Sequence, residues 1–153
     1  MKITIDIDEN SIENEVIIKC HHITEEVVAL QRMLNNSSDE RLEFELMSGD
    51  KEYYVSVKDI IFFQTEGDAV KAHTRENMFE TKYRLYELEK ILPHYFMRIS
   101  KSAIVNSKEI YSITRNLTAS SKIEFKNTHK HIFVSRGYYK PLKSKIDEMR
   151  NIK

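Results

Sequence analysis

The chain has 153 residues with 24 basic and 24 acidic side chains, so its formal charge is zero and its overall balance points to no partner. This length suits one ordinary domain, or a domain of about 100 to 115 residues with a small appendage, and excludes two full domains. With 41% apolar and 31% charged residues, the composition is globular, and the longest apolar runs, Val27-Val28-Ala29-Leu30 and Ile60-Ile61-Phe62-Phe63, fall far short of the roughly 20 residues of a spanning helix.

Residues 2 to 8 alternate, with Ile3, Ile5 and Ile7 on one face and Lys2, Thr4, Asp6 and Asp8 on the other, the period of a half-buried strand rather than of a secretory signal. A turn at Asp8-Glu9-Asn10-Ser11 and a second strand over 14–21, carrying Val16, Ile18 and Cys20, predict a hairpin. Thr24 reads as the N-cap of a helix reaching about Leu34, with Glu25 and Glu26 in its first turn and Val27, Leu30 and Leu34 buried. The polar run Asn35-Asn36-Ser37-Ser38-Asp39-Glu40 is the predicted boundary, dividing a 1–38 hairpin-and-helix module from a 39–153 domain. Such a module is too small to be stable alone and must dock on something.

Beyond the boundary, short strands are predicted at 42–48, 51–57, 60–65, 69–74, 78–82, 96–99, 109–114, 121–126 and 131–135. Turn signals between them argue for an antiparallel β domain within a mainly β, α+β protein. Two helices interrupt: 84–92, with Leu85, Leu88 and Leu92 on one face ahead of Pro93, and a C-terminal helix starting at Pro141 that buries Leu142, Ile146 and Met149.

Partition dissolves the zero charge. Residues 1–50 hold 4 basic and 12 acidic side chains, 51–90 hold 7 and 8, and 91–153 hold 13 and 4. A basic C-terminal third suits a polyanion, whose condensed counterions are released on binding. The competing reading is solvated lysines on edge strands and a terminal helix.

The chemistry of an enzyme is harder to find. Gly49, Gly67 and Gly137 are isolated, so no Gly-rich phosphate loop exists. His21-His22 and His129-x-His131 lack companion ligands at metal spacing, and His129 falls in an expected turn. Cys20 reads as a small core residue with no activating base, and as a lone cysteine it predicts a reducing, cytoplasmic setting. Ser100 and Ser102 have no nucleophile-elbow context. No enzyme class, cofactor, metal or small-molecule substrate is expected.

Two segments are more specific: Phe96-Met97-Arg98-Ile99-Ser100-Lys101-Ser102-Ala103-Ile104-Val105-Asn106-Ser107-Lys108-Glu109-Ile110 and Val134-Ser135-Arg136-Gly137-Tyr138-Tyr139-Lys140-Pro141-Leu142-Lys143. With Ile60 to Asp68 and the helix from Arg84 to Glu89, they resemble the LytTR-type DNA-binding domain of bacterial transcription regulators over about residues 42–150. The resemblance implies about ten short antiparallel strands, with double-stranded DNA read in successive major grooves by loops and strand ends and no recognition helix. Lys101 then stands at the base-reading position of the first motif and Arg136 at that of the second. The turn Glu66-Gly67-Asp68-Ala69, with Lys71, corresponds to a third contacting region. Arg98, Ser102, Asn106 and Ser135 match positions that hold phosphates or brace the loops, Lys140 extends the basic segment, and Ser100 stands where many members carry His.

Side-chain chemistry agrees. Arg136 can pair bidentately with guanine O6 and N7, whereas Lys101 reaches the same edge as a point charge. Asn106 suits a phosphate contact or a turn equally, and Tyr138 and Tyr139 suit core and rim positions better than base stacking. A phosphorylated receiver domain, often found in these regulators, needs more chain than precedes the β domain. The resemblance therefore implies a stand-alone form working on promoter repeats under a membrane-protein regulator, and the apolar N-terminal faces suit a homodimer contact. The alternative is a protein-interaction module with an acidic N-terminal binding surface.

Overall fold

A computed structural model describes residues 2–12, 14–39 and 42–150. Ten strands form two antiparallel sheets. Strands β1 (Glu43–Ser48), β2 (Lys51–Ser56), β3 (Phe62–Glu66), β4 (Ala69–His73), β5 (Met78–Thr81), β6 (Phe96–Ser100) and β7 (Ala103–Asn106) make a seven-stranded sheet in the order β2-β1-β5-β4-β3-β7-β6. Strands β8 (Ile110–Thr114), β9 (Ser121–Phe125) and β10 (His131–Val134) make a second sheet in the order β10-β9-β8. Helices α1 (Glu25–Asp39), α2 (Leu85–Ile91) and α3 (Arg136–Arg150) complete the chain. This is the mainly β architecture expected.

Alternation along the strands builds a core on each face of the large sheet. On β3, Phe63 joins Phe44, Leu46 and Phe79 under α2, which contributes Leu85 and Leu88. Its neighbour Phe62 faces the other way, with Ile99, Val105 and the small sheet's Ile123, Phe125 and Ile132, closed by Leu142 and Ile146 of α3. The large sheet is thus a middle layer, and truncating fully buried Phe63 to Ala would cost about 3–5 kcal/mol. The β3–β4 connection has two central residues, and Gly67, the first, has φ of 63°. That is the position where a type II′ hairpin turn requires glycine.

Several expectations are corrected. The N-terminal hairpin is not paired: its turn forms, with Ser11 N–H donating to Asp8 O at 3.1 Å and Asn10 N–H to Asp8 Oδ1 at 2.9 Å, but no strand is present over 2–12 or 14–24. A two-stranded ribbon with an uncovered apolar face lacks the packing that would hold its ladder. Cys20 is exposed rather than a core residue. Helix α1 does start after Thr24, whose Oγ1 accepts from Val27 N–H at 3.3 Å. It continues past Leu34, itself exposed, through the expected boundary to Asp39, while Glu40 lies outside the described residues.

Strand β7 was absent from the strands expected, because all four of its residues are buried and show no alternation. The C-terminal helix begins at Arg136 rather than Pro141. Tyr138 N–H closes the first turn on Ser135 O at 2.9 Å, and Pro141 sits inside the helix. The bond that Pro141 forgoes would have reached Gly137, which is exposed, so water can take its place.

Candidate nucleic-acid interface

Backbone bonds tether three connections at one end of the large sheet. Thr65 N–H donates to Ser102 O at 2.8 Å, joining the end of β3, which leads into the Gly67-Asp68 turn, to the β6–β7 turn of Lys101 and Ser102. Ser135 N–H donates to Ile99 O at 2.9 Å, setting the start of α3 beside the end of β6. Asp68, Lys101 and Arg136 therefore ride on adjoining supports although far apart in sequence.

Arg98 shapes the middle support. Its Nε donates to Ser100 O at 2.7 Å, Nη2 to Lys101 O at 2.6 Å, and Nη1 to Glu89 Oε1 on α2 at 3.1 Å. The guanidinium is a brace rather than a hand held out to phosphate. Ser100 works in the same turn, its Oγ accepting from Ser102 N–H at 3.1 Å and lying 3.3 Å from Ser102 Oγ.

Beside these turns runs a groove of about 460 Å³, lined by Thr65, Asp68, Val70, Lys82, Arg84, Arg98 and Lys101 among others. Lys82 and Arg84 were not singled out as contact residues from the sequence. The available signal was two cations flanking Tyr83, between a strand and a helix. Glu87 Oε1 accepts from Arg84 N–H at 3.0 Å and seats the start of α2 on this wall.

Two sequence candidates are reassigned. Asn106 is 1% exposed; its Nδ2 donates to Ile60 O at 3.0 Å and its Oδ1 accepts from Lys108 N–H at 3.1 Å. It is a turn residue of the fold, out of reach of a phosphate. Lys71 lies next to Val70 on β4 and so points to the opposite face of the sheet from the groove. There it pairs with Glu80 across β4–β5. Its far-face neighbour His73 stacks on Phe62, ring centroids 4.3 Å apart. His73 Nε2 lies 3.2 Å from Glu66 Oε1 and its Nδ1 lies 3.2 Å from Lys130 Nζ. Burial, then the Lys130 charge, hold the His73 imidazole below its ordinary pKa, with Glu66 pulling the other way.

Lys101, Arg136 and Lys140 are exposed, Ser135 is half-buried, and among the described residues none of these three cations enters an ion pair. Tyr138 and Tyr139 pack against the core behind them, with the Arg115 guanidinium 4.6 Å from the Tyr139 ring centre. No group of His, Cys, Asp and Glu suited to a metal occurs among the described residues, and no helix among them is long and apolar enough to cross a membrane.

Residues 50–147 match the family model of the LytTr DNA-binding domain. An uncharacterized HTH-type transcriptional regulator of Staphylococcus aureus is 34% identical over 148 residues, covering 95% of this chain and 98% of the relative. A regulator of the same description from another strain is 40% identical over 98 residues, 63% of this chain and 66% of the relative. A solved structure described as the LytTr DNA-binding domain of a methyl-accepting/DNA response regulator from Bacillus cereus superposes with a TM-score of 0.63 at 22% identity, over 68% of this chain and 95% of that one. Although those relatives are described as HTH-type, strands separate each helix from the next among the described residues, so these contain no helix-turn-helix unit. On its family match, its relatives and its fold, the chain belongs to the LytTr DNA-binding domain family.

Proposed function

We propose that this chain is a sequence-specific transcription regulator that reads double-stranded DNA from the tethered end of its large sheet. The observation that carries the reading is the alignment of the β3–β4 turn, the β6–β7 turn and the start of α3 by two backbone bonds, with Lys101 and Arg136 on them and in no ion pair among the described residues. In this reading Arg136 takes a guanine edge bidentately and Lys101 a neighbouring base. Lys82, Arg84, Lys140, Ser102 and Ser135 meet backbone phosphates, which position the protein without reading sequence. Arg98 and Ser100 shape the turn and touch DNA only through it.

The α3 N-terminus supports the same assignment. Its first turn contains no acidic residue, so the positive end of the helix dipole and the Arg136 charge add rather than cancel, as an anion requires. The chain acts on repeated promoter sites as a homodimer, and a membrane-protein regulator is the controlling partner that the sequence resemblance supports. Its setting is the cytoplasm.

The test is selection of duplexes from a random pool, followed by titration of the recovered site. Lys101→Ala combined with Arg136→Ala should lower specific affinity by about 10- to 1,000-fold, bringing it close to nonspecific affinity. Unchanged selectivity in the double variant would overturn the assignment.

A further inference from the structure

The N-terminal segment has the pattern of a folded element and the surroundings of an unfinished one. Its turn is made, through the two bonds to Asp8. Pairing about that two-residue turn would set Ile7 opposite Ile12, Ile5 opposite Asn14 and Ile3 opposite Val16, placing Ile3, Ile5, Ile7, Ile12, Val16 and Ile18 on one face with Asn14 as its polar member. In the single chain this face is in water: Ile3, Ile5 and Ile7 are 84–85% exposed, Ile12 98% and Val16 71%. The helix that follows covers little of it. Val27, Val28 and Leu30 of α1 are half-buried, Met33 and Leu34 remain exposed, and α1 makes no extensive contact with either sheet.

We propose that residues 2–39 are a homodimerisation module, in which the hairpin forms by laying its apolar face against the same face of a second copy. Two features favour a second copy over other occupants. The first is area. The exposed apolar side chains of the arm and α1 amount to on the order of 1,000 Å² per copy, against roughly 800 Å² per partner in a standard stable interface. The second is completeness. One hairpin and one helix are too few to hold a sheet, whereas a two-fold pair brings four strands and two helices to a single shared core, closed by one self-complementary contact.

Charge fits this arrangement. Lys2, Thr4, Asp6, Asp8, Glu15 and Lys19 take the opposite face of the ribbon, along with Ile17, so the acidic groups stay in water and the apolar faces meet without them. The proposal goes beyond the DNA reading by naming what joins the two copies, and it rests on that reading only for the use made of the dimer.

Sedimentation velocity of the full chain at micromolar concentration tests it. The native protein should sediment as a dimer and Ile5→Asp with Val16→Asp as a monomer, while Thr4→Asp on the polar face stays dimeric. Thermal unfolding of the double variant should retain the β-domain transition. Affinity for a duplex with one selected half-site should be unchanged, and affinity for a duplex with two should drop at least tenfold.

A native protein that is monomeric throughout, with the amides of residues 2–18 protected from exchange, would overturn the proposal in favour of packing within one chain. A double variant that remains dimeric would overturn it by putting the contact elsewhere. Native chain that is monomeric with unprotected amides and dimerises only with a different protein would overturn it as well. Failure of every protein to bind the half-site would sink the DNA reading alone, because sedimentation decides the dimer without DNA.

Discussion

The two faces of the large sheet carry similar residues in opposite conditions. On the groove side Lys82 and Lys101 form no ion pair among the described residues. On the far side Lys71 is tied to Glu80, and Lys130 is held by His73 and by Asn77 O at 2.6 Å. A lysine already satisfied by a carboxylate has lost much of what phosphate would offer it, so partner count separates a binding cation from a structural one better than charge does. Arg98 lies between these classes: it lines the groove, yet its fork is committed to two carbonyls and Glu89.

That contrast can be broken most severely at Arg98. Arg98→Ala should destabilise the domain by about 1–3 kcal/mol through two unmet turn carbonyls and the lost ion pair, and should weaken selective binding by releasing Lys101 from its preset turn. Arg98→Lys keeps the charge but not the fork, so it should restore little selectivity. Full restoration in a binding titration would identify a phosphate contact instead.

A smaller effect sharpens the comparison of the two lysines. Lys82→Ala should reduce the slope of log affinity against log salt by about 0.9, the signature of one phosphate contact, whereas Lys71→Ala should leave the slope unchanged. Equal changes from both would mean that the faces are not distinct.

The smallest expected effect is on pH dependence. Because His73 has a lowered pKa in the fold, the unfolded chain binds the proton first as pH falls. The stability of the neutral form is therefore complete above the ordinary histidine value of about 6.5 and is lost as pH drops toward the folded value. Denaturant midpoints measured from neutral to mildly acid pH should fall more in the native protein than in His73→Asn. Parallel profiles would remove His73 as the cause.

Much of the fold was legible because its signals are local. Short runs bounded by turn signals marked nine of ten strands, and Leu142, Ile146 and Met149 marked the inward face of α3. Local signals also misled. Ala103 to Asn106 is buried on both faces and offers no period, and Pro141 suited a helix start that the chain makes five residues earlier, at Arg136. The alternating arm of residues 2–8 promised a strand, and none is present there.

The candidate site divides in the same way. Lys101, Arg136 and the Gly67 turn could be read from sequence because their motifs are contiguous and carry a family resemblance. The burial of Asn106, the pairing of Lys71 and the groove wall of Lys82 and Arg84 could not, since each depends on residues brought in from other elements.

By itself, then, the sequence determined that this is a mainly antiparallel β protein with an acidic front, a basic final third and two cation-bearing motifs. Periodicity and charge are carried by neighbours along the chain. Only the tertiary structure decided which cations stay free among the described residues, which brace a turn, and that Ile3, Ile5, Ile7 and Ile12 of the front end stay exposed. Those outcomes rest on strand order and contacts between distant residues, as with His73 and Lys130, which are 57 positions apart.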